Sequence, residues 1–548
     1  MMDARRLTGR DHVIGAALCF GYLALLFSTA GDLAMSRDES FYAHAAKNIA
    51  GWLSELLSDP ASALQEDHID RAWRYNWEHP AWMKLTFAWS WLAQKHFGLF
   101  PRDSLAIRFP GMLTAGLLLW LIYGWGASVM ARRGALFASL AFATMPRVFY
   151  HSHLDCFDVP IAFFVTLTAY AYWRALADRR WIPLLGLAFG LALSTKHNSW
   201  MLPAIFMIHF VWLRADQARA GSERRTSLIW LASMLTIGPL VFIGTWPWLW
   251  HDTWSRIGAY VSFHLRHVHY TYQFMGVSYF EPPMPMSVPF VMTSFTVSLA
   301  VLALAVAGIF ACRGELRPPW RFRHGDSTTR RTELLWLGCL VAPLLAIALP
   351  SSPIFGGTKH WLTAYPFLAL FAGRGLLAVT ERAELGLWMG RRWPGRAFAI
   401  LCLLPGVIQT GHSHPFGLSH YMPIAGGVPG AADRGMNRQF WGFTTGSLTD
   451  WLVERLPEGG SVWLCDTTAG AWAMLQADGV VPRNIRAARA INDADFALVH
   501  HERHFAEVEY QIWAAYGTPQ PVHVLLYDGV PIISVYENPA RRERESAR

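Results

Sequence analysis

The chain has 548 residues, of which 53% are hydrophobic and only 16% charged, with 27 Trp and 33 Phe; a soluble chain is about a quarter charged. This excludes a disordered, fibrous or nucleic-acid-coating protein and points to a polytopic membrane protein with a soluble appendage. The net charge is 47 − 39 = +8, and the basic residues form short clusters between apolar runs, a pattern that orients a chain in a bilayer.

A spanning helix needs about 20 mostly apolar residues. Eleven candidate runs are read at roughly 13–30, 108–130, 134–149, 157–176, 181–195, 199–213, 227–249, 288–311, 333–350, 360–380 and 396–410. The first follows Arg5, Arg6 and Arg10 without a clear small-residue cleavage site, so it is expected to be a retained anchor. Arginines collect after every second run: Arg132 and Arg133; Arg174, Arg179 and Arg180; Arg214, Arg219, Arg224 and Arg225; six between Arg313 and Arg331; and Arg382, Arg391, Arg392 and Arg396. The positive-inside rule then places the N-terminus in the cytoplasm and the chain after 410 outside. The expected fold is an all-α polytopic bundle with a small extracytoplasmic α/β C-terminal domain at 411–540 and a disordered tail at 541–548.

Two further outer segments follow from this topology. The segment 31–107 contains SFYAHAAKNIAGWLSELL and AWMKLTFAWSWLAQKHF, whose helical periodicity and Trp-rich faces suit interfacial helices. The segment 250–287 is rich in His, Tyr and Pro. In the C-terminal part, SVWLCD, ADFALVHH, HVLLYDG and PIISVYE read as strands. The six cysteines have no metal-site or disulfide spacing.

All five lysines (Lys47, Lys84, Lys95, Lys196 and Lys359) fall on the outer side, opposite to the positive-inside bias. Lys196–His197 and Lys359–His360 sit at span ends, where ionisable groups are expensive and often functional. Two such pairs on one face suggest an anion held between helices, a phosphate at the membrane surface being the natural candidate. Asp38–Glu39 in MSRDESFY follows the first run; Asp38 either caps a helix or serves as a base for an attacking hydroxyl. In NWEHPAWMKL, Glu78, His79 and Lys84 open an amphipathic helix. In HSHLDCFDVP, His151, His153, Asp155 and Asp158 cluster, with Asp155 and Asp158 spaced to share a helix face and Asp158 also resembling an N-cap. His264, His267 and His269 lie in the 250–287 segment.

RDES after the first run, EHPAWMK, RFPG, HLDCFDVP, STKHNSWMLP and KHWLTAYP, in this order over about 10–410, resemble the GT-C membrane glycosyltransferases. The similarity is to bacterial relatives of the protein O-mannosyltransferases and of lipid A aminoarabinose transferase. HPFGLSHYMPIAGGVPGAADRGMNRQFWG resembles a stretch found after the last span in some members. The resemblance implies a GT-C catalytic domain over 1–410 in a bacterial plasma membrane, a polyprenyl-phosphate-linked sugar donor, and a lipid, glycan or protein acceptor. It makes Asp38 the base, with Glu39 beside it, and puts Lys84 and Lys196 on the donor phosphate. Asp158 joins the catalytic set, and His79, His153, Asp155, His197, Lys359 and His360 join the donor-binding set. It also implies a divalent metal, zinc or manganese, at Glu78 with His264 or His267. No nucleotide loop is present, which fits a lipid-borne donor. A transporter would carry its charges near the midplane in paired halves; a lipid-linked glycan ligase or polymerase is the other alternative.

Overall fold

A computed structural model describes residues 5–219, 227–312, 327–385 and 393–541. The arginine clusters around 219–225, 313–331 and 382–392, and the tail after 541, lie wholly or partly outside the described residues.

The chain is mostly helical, and a helix lies at each of the eleven apolar runs. Three described stretches, Gly9–Asp32, Asp103–Val129 and Gly357–Thr380, are long and apolar enough to cross a membrane, and Trp181–Leu193, Ile229–Gly244, Leu299–Cys312 and Thr332–Ala348 are shorter apolar helices. Two expected runs are broken. The run 134–149 divides into Arg132–Ala143 and Pro146–Ser152, because Pro146 occupies the first turn of a new helix and cannot continue the old one. The run 288–311 divides at the extended Val297 into Val288–Thr296 and Leu299–Cys312.

Close helix packing depends on small residues. A Cβ on Gly308 would overlap the Phe371 carbonyl oxygen, and one on Gly375 would overlap that of Leu304. These glycines let Leu299–Cys312 and Tyr365–Leu385 approach backbone to backbone, as small residues do between apolar helices.

The segment after the first helix carries Arg37–Ser58 and Ala81–Phe97. The first of these begins earlier than its sequence suggested. Ser36 is its cap: Glu39 Oε2 accepts from the Ser36 amide at 2.8 Å, in a reciprocal capping box with the Ser36 hydroxyl. Asp38 therefore does not cap the helix. Glu39 also receives Arg108 Nε at 2.8 Å and Nη2 at 3.1 Å, with both side chains fully buried. Arg108 donates further to the carbonyls of Ala30, Leu33 and Ala34. Burial works to raise the Glu39 carboxyl, but Arg108 and these hydrogen bonds hold it below its ordinary value.

A short hairpin, β1 (Tyr272–Phe274) with β2 (Val277–Tyr279), packs on the later chain, with the Gly276 amide donating to the Gly435 carbonyl at 3.1 Å. Five strands form a second sheet: β3 (Gly460–Trp463), β4 (Ile485–Ala487), β5 (Phe496–His500), β6 (His523–Tyr527) and β7 (Val530–Glu537), in the order β4-β3-β5-β7-β6. β3 is parallel to β4 and β5, whereas β7 is antiparallel to β5 and β6. Val462, Leu498, Ile533 and Trp472 fill its core, which reaches Ala34 beside the first helix.

Arg108→Leu is expected to destabilise the protein by about 3–5 kcal/mol, because it leaves Glu39 charged and buried. Glu39→Leu with Arg108→Leu should lose less than the single change, as read by thermal unfolding in detergent.

Candidate active site

Asp38 lies one residue before the buried Glu39 and turns to another face of the helix. Its Oδ2 accepts from Lys359 Nζ at 2.8 Å, across 321 residues of sequence. Lys359 belongs to the 3-10 stretch Gly357–Ala364 and is 7% exposed, whereas the Asp38 side chain is 20% exposed. The Lys359 ammonium also stands 4.0 Å from the ring centre of Trp441 and 5.2 Å from that of Phe355. A second pair lies close by, with Lys196 Nζ donating to Asp158 Oδ1 at 2.6 Å. His151 joins the two pairs: its Nδ1 is 3.9 Å from Asp158 Oδ2, its ring is 5.9 Å from that of Trp441, and neither nitrogen has a hydrogen-bond partner.

Lys84 is fully buried in the helix Ala81–Phe97 and donates to the Asn76 carbonyl at 2.8 Å. Burial brings its amine down to about 7, with Glu78 acting weakly in the other direction. At neutral pH it is poised between ammonium and amine, and an arriving anion would favour the ammonium. His79 is held well below its usual value by burial and then by Lys196 and His264. Its Nε2 lies 3.4 Å from the Tyr42 hydroxyl.

Several expected partners separate. Asp158 is the first residue of the helix Asp158–Ala175 with Phe157 in the cap position, so Asp158 is no N-cap. Asp155 lies in the preceding turn, so the two carboxylates do not share a helix face. The Asp155 amide approaches Glu39 Oε1 at 3.4 Å, and its buried carboxyl lies against that of Glu39. Burial, and then Glu39, pushes this carboxyl well above the usual carboxylate range. His153 has both nitrogens engaged away from the lysines, by the Thr29 hydroxyl at 2.8 Å and the Phe149 carbonyl at 2.8 Å. His360 Nε2 accepts the Gly356 amide at 3.2 Å, which shapes the Lys359 segment. His197 stacks on His264 with ring centres 4.1 Å apart.

The expected metal ligands do not form a set. Glu78 Oε1 accepts from Asn76 at 2.8 Å, His264 Nε2 meets the Glu78 backbone carbonyl at 2.9 Å, and His267 Nδ1 lies 2.7 Å from the Val268 carbonyl. Among the described residues, no group of three or more His, Cys, Asp or Glu side chains is arranged to hold a metal ion. The helix ends at Leu265, which separates His264 on its last turn from His267 beyond it. These residues do not fit a zinc or manganese ion.

Sequence reasoning missed the groups that fix Asp38 from the C-terminal side. The Arg37 guanidinium meets Asp466 Oδ1 at 2.6 Å, and the Arg37 amide donates to the Trp441 carbonyl at 2.9 Å. The Ser40 and Thr468 hydroxyls are 2.7 Å apart. Burial raises the Asp466 carboxyl to about 6, with Arg37 opposing and Asp38 adding to the rise.

Residues 79–248 match the family described as Dolichyl-phosphate-mannose-protein mannosyltransferase. That stretch carries His79, Lys84, Asp158 and Lys196. A search of curated proteins yields no match. Among solved structures, ArnT from Cupriavidus metallidurans bound to undecaprenyl phosphate is 14% identical, with 96% of this chain and 98% of that chain covered and a TM-score of 0.48. The archaeal oligosaccharyltransferase AglB from Archaeoglobus fulgidus, in complex with an inhibitory peptide and a dolichol-phosphate, is 12% identical, with 91% and 71% covered and a TM-score of 0.49. With TM-scores below 0.5, these likenesses carry no weight for fold or chemistry. Over residues 79–248 the chain is thus similar to that mannosyltransferase family.

With only five lysines in the chain, Lys84 can be observed directly. In protein labelled with 13Cε-lysine, one resonance that disappears in Lys84→Arg is expected to titrate near pH 7. Titration of that resonance only above pH 9 would contradict the burial effect.

Proposed function

We propose that the protein is an inverting glycosyltransferase that moves a sugar from a polyprenyl-phosphate donor to an acceptor hydroxyl at the outer face of a bacterial plasma membrane. The observation that carries this reading is the Asp38–Lys359 pair at 2.8 Å: a partly exposed carboxylate, free of any capping duty, held by a lysine beside a second lysine–aspartate pair. The family match over 79–248 supports it. Eleven spans, a cytoplasmic N-terminus and an outer α/β domain after 410 belong to the same proposal. Apolar side chains left exposed on long helices, such as Phe20 at 61%, Ile208 at 73% and Leu240 at 71%, suit contact with lipid.

In this mechanism the donor phosphate draws Lys196 and Lys359 away from Asp158 and Asp38, and it draws Lys84 into its charged form. Asp38, released, accepts the proton of the acceptor hydroxyl. The hydroxyl oxygen bonds to the anomeric carbon as the bond from that carbon to the phosphate oxygen breaks. The electron pair leaves on the lipid phosphate, where the lysines stabilise the growing negative charge. One displacement inverts the anomeric configuration. Glu39 stays paired with Arg108 and takes no part in proton transfer, and no step needs a metal.

Asp38→Asn keeps the shape of the side chain and removes the proton acceptor. Transfer from a polyprenyl-phosphate sugar is expected to fall by about 10²–10⁴-fold. Undecaprenyl phosphate should bind as well as, or tighter than, in wild type, because Lys359 loses a competing carboxylate. Near-normal transfer would remove Asp38 from the mechanism.

The topology has its own test. A reporter active only outside the cytoplasm, fused after Arg548, is expected to be active. Activity of the complementary cytoplasmic reporter at that position would reverse the proposed sidedness.

A further inference from the structure

Arg147 is the second residue of the short helix Pro146–Ser152. It is 1% exposed, and among the described residues none of its three guanidinium nitrogens has a hydrogen-bond partner at ordinary distance, although the Tyr421 hydroxyl lies near enough to interact with it. The guanidinium carbon lies 5.1 Å from the ring centre of Tyr421 and 5.5 Å from that of Phe440. Aromatic rings attract a cation, but their faces leave the N–H donors of the fork unmet, and the Tyr421 hydroxyl, which donates to the Asn437 carbonyl, offers a single acceptor oxygen for five N–H donors. Lys196 and Lys359 each have an aspartate, whereas among the described residues no carboxylate pairs with Arg147. A guanidinium does not escape this by losing a proton, as the Lys84 amine can, and a buried, uncompensated charge is costly.

The surroundings of Arg147 connect it to the lysine cluster. Its Nη1 borders Gly357, where an added Cβ would stand 3.2 Å away and where φ is +60°. Gly357 begins the stretch that presents Lys359. The next residue, Thr358, has a buried hydroxyl with no partner, and His151, one helical turn beyond Arg147, has two buried nitrogens with none. Three buried polar side chains, none with a partner at ordinary hydrogen-bond distance among the described residues, thus lie on or beside the segment that holds the Asp38–Lys359 pair.

We propose that Arg147, with Thr358 and His151, forms a second oxyanion subsite beside the lysines. It takes a carboxylate or phosphate group of the lipid-linked sugar other than the phosphate bonded to the anomeric carbon. The inference rests on the glycosyl-transfer reading and narrows the substrate to one with a second anionic group. A two-oxygen anion fits the guanidinium fork bidentately, a geometry that a lysine cannot supply. Such a group has two sources: a second phosphate in the lipid linkage, or a carboxylate on the sugar ring.

Two pairs of probes separate these sources on the full-length protein in detergent. One compares the binding of undecaprenyl diphosphate with that of undecaprenyl phosphate; the other compares thermal stabilisation by D-glucuronate with that by D-glucose. Wild type is expected to prefer one anionic probe over its counterpart by about 10- to 100-fold, the worth of a charge-assisted contact. Preference for the diphosphate assigns the second oxyanion to the lipid linkage, and preference for glucuronate assigns it to the sugar ring. Arg147→Met should abolish the preference, while Arg147→Lys and Thr358→Val should reduce it. No preference in wild type, or one that persists in Arg147→Met, overturns the subsite and leaves Arg147 as a cation caged by Tyr421 and Phe440. If Arg147→Met does not fold, an unchanged preference in both Arg147→Lys and Thr358→Val overturns it equally. Failure of wild type to bind undecaprenyl phosphate at all would instead strike the donor reading on which the inference rests.

Discussion

The buried ion pair between Glu39 and Arg108 governs the geometry of everything near Asp38. Arg108 gathers the carbonyls of Ala30, Leu33 and Ala34 at the end of the first helix and binds Glu39 with Nε and Nη2. It thereby ties the first helix, the helix Arg37–Ser58 and the helix Asp103–Val129 at one point. Consecutive helical residues point about 100° apart. With Glu39 fixed inward on Arg108, Asp38 is turned to a different side, where Lys359 meets it. A buried ion pair is weak evidence for stability, since its desolvation offsets much of its attraction. Its consequence here is directional: two adjacent acids of the same chemistry are given different surroundings, one sealed and one accessible.

Much of the scaffold was legible because apolar runs of spanning length have few other uses. Helix breaks were less legible. The proline at 146 was visible, but an apolar run on both sides of it masked the break. The C-terminal strand runs coincide with β3, β5, β6 and β7, while β4 has only three residues and the β1–β2 hairpin lies in a His- and Tyr-rich stretch with no alternation. For the site, residue types were legible and pairings were not. Lys359 could be picked out from the sidedness of the lysines, but its partner lies 321 residues away. The Ser36–Glu39 capping box was a readable signal that would have freed Asp38 from capping at the outset. Arg147 gave no signal, because its distinction is the lack of a carboxylate partner among the described residues, a property of packing alone.

The C-terminal segment is joined to the catalytic candidates themselves. Asp466 binds the Arg37 guanidinium, the Trp441 carbonyl receives the Arg37 amide, and Thr468 meets Ser40. These contacts bracket Asp38 on both sides in sequence. Trp441 also lies against the Lys359 ammonium, so a single residue of this segment touches both flanks of the Asp38–Lys359 pair. A carboxylate serving as the proposed base would gain from such restraint, because a small misplacement costs far more rate than stability. Truncation after the last apolar helix would therefore remove part of the site along with the sheet.

The distribution of charge explains how several lysines can collect at the edge of an apolar bundle. Lys196 and Lys359 are each neutralised by an aspartate, and burial lowers the amine of Lys84. A site built this way avoids accumulating positive charge in a region of low dielectric. An arriving phosphate then does two things at once: it replaces the aspartates as counter-ion and favours the ammonium form of Lys84. In the proposed mechanism Asp38 would be free to accept a proton only with the anion in place, and charge compensation would couple occupancy by the donor to the readiness of the base. Arg147 is the exception, since it keeps its charge without a carboxylate. Among the described residues Lys196 and Lys359 are paired and the Lys84 amine is lowered by burial, so Arg147 is where the proposed second anion would have the most to contribute.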